Sequence, residues 1–178
     1  MAAVARGDEN AFRRLVQRWE GPVLSFLTRC LADPEEARDL AQEVFLRVHR
    51  HAGRYRPEGA FRAWIFRIAG NLCRQRHRRR RLARWIPLLP QHEPPTPRTQ
   101  RTDARLRAEE ISRVLEEVLE TLPLRQRMAF SLQRIEGLSY REIARVLGTS
   151  ESAVESLLVR ATRSVREGLR ERGMTPGG

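Results

Sequence analysis

The chain has no lysine: all 34 of its basic residues are arginine, a bias of the kind a G+C-rich coding sequence produces. Cysteine is nearly absent too. Cys30 and Cys73 stand far apart in the sequence without a Cys-x-x-Cys pair, which gives no support to a disulfide framework or a structural zinc site. Cys73 and His77 do share a helical i, i+4 spacing, and His49 and His51 are near neighbours, but two ligands do not make a zinc site. They read as a buried thiol and solvated imidazoles, with no metal. No segment approaches 18 uncharged apolar residues, and the N-terminus lacks the basic and apolar regions of a signal peptide, so no membrane insertion and a cytoplasmic location are expected. An alternating strand pattern bounded by hairpin turns is likewise missing, which leaves an all-α fold. There is no phosphate-binding glycine loop, no nucleophile and base at a motif spacing and no metal triad. Neither an enzymatic activity nor a cofactor is expected.

What the chain does have is positive charge, unevenly placed. Of the formal net charge of +12, three quarters falls in residues 74–107, where 11 arginines meet only 2 acids. Arg74, Arg76, Arg78, Arg79, Arg80, Arg81 and Arg84 form a dense run. Such a run implies a polyanionic partner, nucleic acid foremost, with a solvated tail or a membrane-surface patch as the alternatives.

The same region holds Pro87, Pro90, Pro94, Pro95 and Pro97, with few apolar residues after Leu89, and cannot build a core. The expected architecture is therefore two small helical domains, residues 1–83 and 108–172, joined by a flexible Arg/Pro-rich linker over 84–107 and followed by a disordered tail over 173–178.

The second block contains the most specific local pattern. Ser139 and Glu142 have the spacing of a capping box, Gly148 suits a left-handed helix terminus, and Ser150 is placed to cap a following helix. In that following helix Val154, Leu157, Leu158, Ala161, Val165 and Leu169 mark the inner face, leaving Ser152, Glu155, Ser156, Val159, Arg160 and Arg163 on or beside the outer one. Two short helices about a tight turn read as a helix-turn-helix whose second helix enters a major groove; an ordinary helical hairpin is the plainer alternative.

In the first block Phe12, Leu15, Val16, Trp19, Val23, Leu27 and Leu31 share a helical face, with a kink or restart expected at Gly21-Pro22. Asp33-Pro34-Glu35-Glu36 then supplies an N-cap, a first-position proline and first-turn acids. Ala37, Leu40, Ala41, Val44 and Val48 form the next buried stripe. Opposite it run Asp39, Gln42, Glu43 and Leu46, flanked by Phe45: either a solvated face or a dock for a basic partner. A third helix from about Ala60 buries Phe61, Trp64, Ile65, Ile68 and Leu72, while Arg67, Asn71, Arg74 and Arg78 line another side. Aromatic, amide and guanidinium groups together suit single-stranded nucleic acid.

Taken in order, Ala11-Phe12 with Leu15, the block Asp39-Leu40-Ala41-Gln42-Glu43-Val44-Phe45, the helix Phe61 to Asn71, Leu122-Pro123 and the helix-turn-helix make the chain resemble, over nearly its whole length, the bacterial RNA polymerase sigma factors of the extracytoplasmic-function group. The resemblance implies a region 2 domain over 1–83 and a region 4 domain over 108–172. It implies that Asp39, Gln42, Glu43, Phe45 and Leu46 meet core RNA polymerase, whose largest-subunit clamp helices and flap are the expected docking points. Tyr55, Trp64, Arg67, Asn71, Arg74 and Arg78 would bind the minus-ten element of promoter DNA, Tyr55 and Asn71 holding a flipped base; a loop tyrosine covering the core is the alternative for Tyr55. Arg141, Arg145, Ser152, Glu155, Ser156, Val159, Arg160 and Arg163 would face the minus-thirty-five element, and an anti-sigma factor is a further expected partner. Glu155 and Leu157 depart from the family, standing where many relatives carry basic residues; Glu155 either accepts from a cytosine amino group or pairs with an arginine. The rival reading is a helix-turn-helix regulator that binds duplex DNA without polymerase, and it leaves the acidic stripe and the tryptophan helix unexplained.

Overall fold

Asp8 opens the first long helix by accepting a hydrogen bond from the Ala11 amide, 2.8 Å. In the computed structural model, which describes residues 1–31, 33–56, 61–83 and 103–174, a single turn α1 (Ala2–Ala5) precedes this helix, α2 (Glu9–Leu31). The restart expected at Gly21-Pro22 does not occur, and Pro22 lies inside α2. Proline costs a helix interior about 3 kcal/mol. Here Val23, Phe26 and Leu27, all fully buried just beyond it, keep the chain on one helical course.

The next helix, α3 (Pro34–Arg50), begins as its sequence requires, with the Asp33 carboxylate accepting from the Glu36 amide and Pro34 in the first turn. A short 3-10 turn (Ala52–Arg54) leads toward α4 (Phe61–Ala83). Helices α2, α3 and α4 pack around Phe26, Leu27, Val44, Val48, Ile65 and Phe66. The second block comprises α5 (Asp103–Thr121), α6 (Leu124–Phe130) continuing into a π-helical turn (Ser131–Ile135), α7 (Tyr140–Leu147) and α8 (Glu151–Glu171). A smaller cluster of Val114, Val118, Leu119, Leu122, Phe130, Ala161 and Val165 joins α5, α6 and α8. The described residues contain no strand.

Two expectations need adjusting. Most of the linker, 84–102, and tail residues 175–178 lie outside the described residues; Asp103 to Arg107, which the linker was expected to include, belong to α5. The arginine run is also not uniformly available to a polyanion. Arg76 and Arg80 both pair with Glu36, and Arg80 also donates to Asp33 at 2.9 Å. These pairs tie the end of α4 to the start of α3, so of the run's last described members Arg78, Arg79 and Arg81 are the exposed ones without an ion pair.

Glu36 is only 6% exposed, whereas its two arginine partners are nearly half exposed and regain water if released. Glu36→Gln is therefore expected to cost about 1–2 kcal/mol, well short of the loss from a fully buried pair. In thermal unfolding that is a fall of about 2–8 °C, and an unchanged midpoint would show the three-way pair to be incidental.

The two blocks are not separate bodies. The larger core cluster that holds α2, α3 and α4 also includes Met128, Leu132, Leu138, Ile143, Val146 and Leu147 from the second block. Glu136 and Arg29 form an ion pair across this junction at 2.7 Å. Burial pushes the Glu136 carboxyl above the usual carboxylate range, with the neighbouring Arg29 opposing it.

Candidate polymerase and nucleic-acid interfaces

On α3, Asp39 and Gln42 are exposed and Leu46 keeps 51% of its surface. Glu43 accepts from Arg47 one turn on, 2.7 Å, and this bond, with the charges of Arg47 and Arg50, holds its carboxyl below the ordinary value. Glu43 therefore stays ionised at neutral pH. Phe45 corrects the expectation made for it: at 7% exposure it sits in the core beside Val44 and Val48. Its position on the helix, one residue from the inner row, turns it inward, so it supports the stripe from beneath.

A second surface is aromatic. Tyr55 meets Trp64 edge-on with centroids 5.0 Å apart, and Phe61 joins both at 5.8 and 5.6 Å. Trp19 extends the cluster, 5.4 Å from Phe61. Beside these rings opens a cleft of about 1090 Å³, lined among others by Arg14, Arg18, Trp19, Tyr55, Phe61 and Arg62. Trp64, Phe61 and Ile68 are only half-buried, unlike Ile65 and Leu72. Trp64 thus begins the row that continues with Arg67, Asn71, Arg74 and Arg78 at i+3, i+7, i+10 and i+14, one side of α4. Arg67, Asn71 and Arg78 are exposed; Arg74 donates to the Asn71 side chain and, at 3.2 Å, to the Val146 carbonyl of the second block. Asn71 stands two turns beyond Trp64, roughly 10 Å along the axis.

The third surface is the helix-turn-helix. Ser139 accepts from the Glu142 amide while Glu142 accepts from the Ser139 amide, a complete capping box. Burial opposes ionisation of Glu142, but the Ser139 donors and the charges of Arg62 and Arg145 outweigh it and hold its carboxyl low. Gly148 ends α7 in the left-handed region, φ +62°, where a Cβ is unfavourable. Ser150 then accepts from the Ala153 amide to start α8. Ser152, Glu155, Ser156, Val159, Arg160 and Arg163 all face solvent, Val159 at 64%, and Arg141 and Arg145 are exposed on α7. Arg160 Nε donates to the Ser156 carbonyl at 3.2 Å, which sets the base of its guanidinium along the helix. Among the described residues Glu155 forms no ion pair.

Sequence reasoning missed Arg14, Arg18 and Arg62 at the aromatic cleft. Arg14 and Arg18 stand one turn apart on α2, a spacing that was available, but Arg62 lies on α4 and joins them only on folding. Arg134, Arg166 and Arg170, which flank Arg163 around a smaller cleft of about 480 Å³ on α8, were also missed. Their spacing from Arg163 along one helix was available for Arg166 and Arg170.

Two helical units, one with an acidic helix and an aromatic-basic helix and the other ending in a helix-turn-helix, define a two-domain transcription-initiation factor. Residues 15–83 match sigma-70 region 2, and residues 112–165 match sigma-70 region 4. The chain is 30% identical to the RNA polymerase sigma-H factor of Pseudomonas aeruginosa, over 93% of this chain and 90% of that one. It is 27% identical to the ECF RNA polymerase sigma-E factor of Escherichia coli K12, over 91% and 88%. Among solved structures, CnrH in complex with the cytosolic domain of CnrY is 30% identical with a TM-score of 0.65, covering 96% of this chain and 94% of CnrH. The sigma factor RpoE of Bartonella quintana, in complex with the anti-sigma factor NepR, shares the fold at 19% identity and a TM-score of 0.72, covering 90% and 97%.

The chain belongs to the extracytoplasmic-function family of bacterial RNA polymerase sigma factors. It binds core RNA polymerase and directs promoter-specific initiation, and it is not an enzyme. The duplex-binding regulator that acts without polymerase is not the reading these findings favour. No helix among the described residues is long and apolar enough to cross a membrane.

Proposed function

We propose that three separate surfaces divide the work of initiation. The α3 stripe, Asp39, Gln42, Glu43 and Leu46, docks on the clamp helices of core polymerase, with the flap taken by the second domain. Tyr55, Trp64, Arg67, Asn71, Arg74 and Arg78 hold the separated minus-ten strand, a flipped base stacking in the aromatic cleft. Arg141 and Arg145 meet phosphates while Ser152, Glu155, Ser156, Val159, Arg160 and Arg163 read the minus-thirty-five element, the region 2 and region 4 units spanning 1–83 and 108–172. The factor works in the cytoplasm, where the polymerase is, and an anti-sigma factor is a partner, as in the complexes of CnrH and RpoE.

The observation that carries this division is the row from Trp64 to Arg78. It has one ring, an amide and guanidinium groups on one side of one helix, and its ring, Trp64, meets Tyr55 of the open cleft, the mixture an unpaired strand needs and a groove-reading helix does not. On α8 the corresponding test is specificity. Bidentate contact of Arg160 with a guanine contributes about 1–3 kcal/mol of discrimination. Holoenzyme carrying Arg160→Ala, run in transcription on a randomised promoter library, should lose preference at one upstream position and keep it elsewhere. A profile unchanged at every position would reassign Arg160 to the phosphates.

A further inference from the structure

The aromatic cleft is larger than one flipped base requires. Pockets of about 300–1,000 Å³ enclose a whole drug-sized ligand, so a single base fills only part of a volume of about 1090 Å³. What lines the remainder comes from two elements outside the Trp64 row. The first is α1. Gly7 ends that turn in the left-handed region, φ +84°, with its amide bonded to the Val4 carbonyl at 3.0 Å and the Asp8 amide bonded to the Ala3 carbonyl at 3.1 Å, the pairing that reverses a chain at a helix end. The reversal lays α1 on the 3-10 turn that leads to Tyr55, and Val4 and Ala52 are each only 4% exposed. Met1, Ala2 and Ala5 thereby give the cleft an uncharged wall.

The second element is α2. Arg14 and Arg18 both line the cleft, are exposed, and stand one turn apart, about 6 Å along the helix axis. Among the described residues neither guanidinium has an ion pair or a hydrogen bond. Arg18 lies 6.0 Å from the centroid of the Trp19 ring, at the outer limit of cation–π attraction. Arg62, the third cation of the lining, is already committed to the carbonyls of Glu136 and Gly137, each at 3.0 Å. Among the described residues the lining contains no acid. Two unpaired cations beside rings and an uncharged wall suit a base that arrives with its phosphates attached. An acidic protein segment would leave the rings unused, and a neutral ligand would leave the arginines unused.

We propose that Arg14 and Arg18 grip two phosphates of the separated minus-ten strand next to the base stacked against Tyr55, so that the strand leaves the α4 row at Trp64 and crosses the cleft onto α2. The proposal rests on the reading of the Tyr55 to Asn71 surface as the strand-binding site, to which it adds a second helix. The two sets of residues do different work. Rings and amide hold a base, whereas the arginines of α2 hold the backbone whatever its sequence.

The test uses holoenzyme and a fluorescein-labelled 12-nucleotide strand from the minus-ten segment of a promoter that it selects from a random library. Binding is followed by anisotropy across a salt series. Each phosphate contact on a single strand contributes about 0.7 to the slope of log affinity against log salt. Arg14→Gln combined with Arg18→Gln should therefore flatten the slope by about 1.4, which makes the loss of affinity about 25-fold near 0.1 M salt and negligible near 1 M. The loss should be the same for strands that carry another base at the flipped position. Arg14→Lys with Arg18→Lys should restore most of the slope, because lysine still neutralises a phosphate. Both side chains are exposed, so neither double variant should change helical content. Tyr55→Ala supplies the contrasting signature, weaker binding at every salt concentration with the slope unchanged. A native slope in the glutamine variant while Tyr55→Ala binds weakly overturns the phosphate contacts and leaves the strand site standing. Reduced affinity of the glutamine variant for core polymerase without DNA assigns Arg14 and Arg18 to the polymerase interface and also overturns the proposal. If Tyr55→Ala binds the strand as the native chain does, the strand-site reading is wrong and the phosphate contacts beside it fall too.

Discussion

Asp39→Arg combined with Glu43→Arg is expected to lower affinity for core polymerase by at least about 100-fold while leaving helical content unchanged. Reversing two charges replaces attraction by repulsion at the same contacts, and like charges set against each other at an interface cost several kcal/mol, where each 1.4 kcal/mol is tenfold. The fold should tolerate the change. Asp39 is exposed, and among the described residues Glu43 pairs only with Arg47 of its own helix, so neither supports the core. Because the Arg47 bond keeps Glu43 ionised well below neutrality, the loss should be independent of pH between about 6 and 8. Binding of labelled chain to core enzyme, measured by fluorescence anisotropy at two salt concentrations, decides the matter. Native-like affinity in the double variant would remove α3 from the polymerase interface.

Strand opening gives the second large effect. Tyr55→Ala is expected to reduce open-complex formation by about 10- to 100-fold, since stacking of one base on an aromatic side chain contributes about 1–3 kcal/mol. Asn71→Ala should behave similarly by another route. It removes an amide from the strand-facing row and releases the Arg74 group that now bonds it. Closed complexes, which depend on α8 and the upstream element, should form at nearly native affinity in both. Permanganate reactivity of thymines scores the opening step, and a premelted bubble template should restore transcription because it no longer requires the separated strand to outcompete pairing. A variant that stays inactive on the bubble has lost something other than base capture.

Local structure was legible to the extent that short-range chemistry decides it. Asp33, Ser139 with Glu142, and Ser150 each announce a helix start because the group that satisfies the terminal amides lies within three residues, and Gly148 announces a helix end because its left-handed backbone suits a residue without a Cβ. The inner face of α8 was equally readable from spacing, with Val154, Leu158, Ala161 and Val165 all buried. What spacing does not carry is which outward residue another element will cover. Arg76 and Arg80 look identical to Arg78 and Arg79 in the run, and only the approach of α3, 40 residues earlier, makes them structural. Pro22 reads as a breaker because the burial that outweighs it comes from α3 and α4. The joint core of the two domains was hidden for the same reason. A Pro-rich stretch between two helical blocks signals a boundary in the chain, and says nothing about whether the blocks then pack on each other.

The two faces of α8 live under different rules. Its inward rows are locked into two hydrophobic clusters at once, Val154 and Leu158 in one, Ala161 and Val165 in the other, so replacements there carry the cost of a cavity or an overpacked core. Its outward row is exposed, and substitutions at such positions usually change stability by less than about 0.5 kcal/mol. Ser152, Glu155, Ser156 and Val159 are therefore free to drift. On the proposed reading of that row, a duplicated copy of this gene can explore new promoter sequences one residue at a time without first acquiring a stabilising mutation.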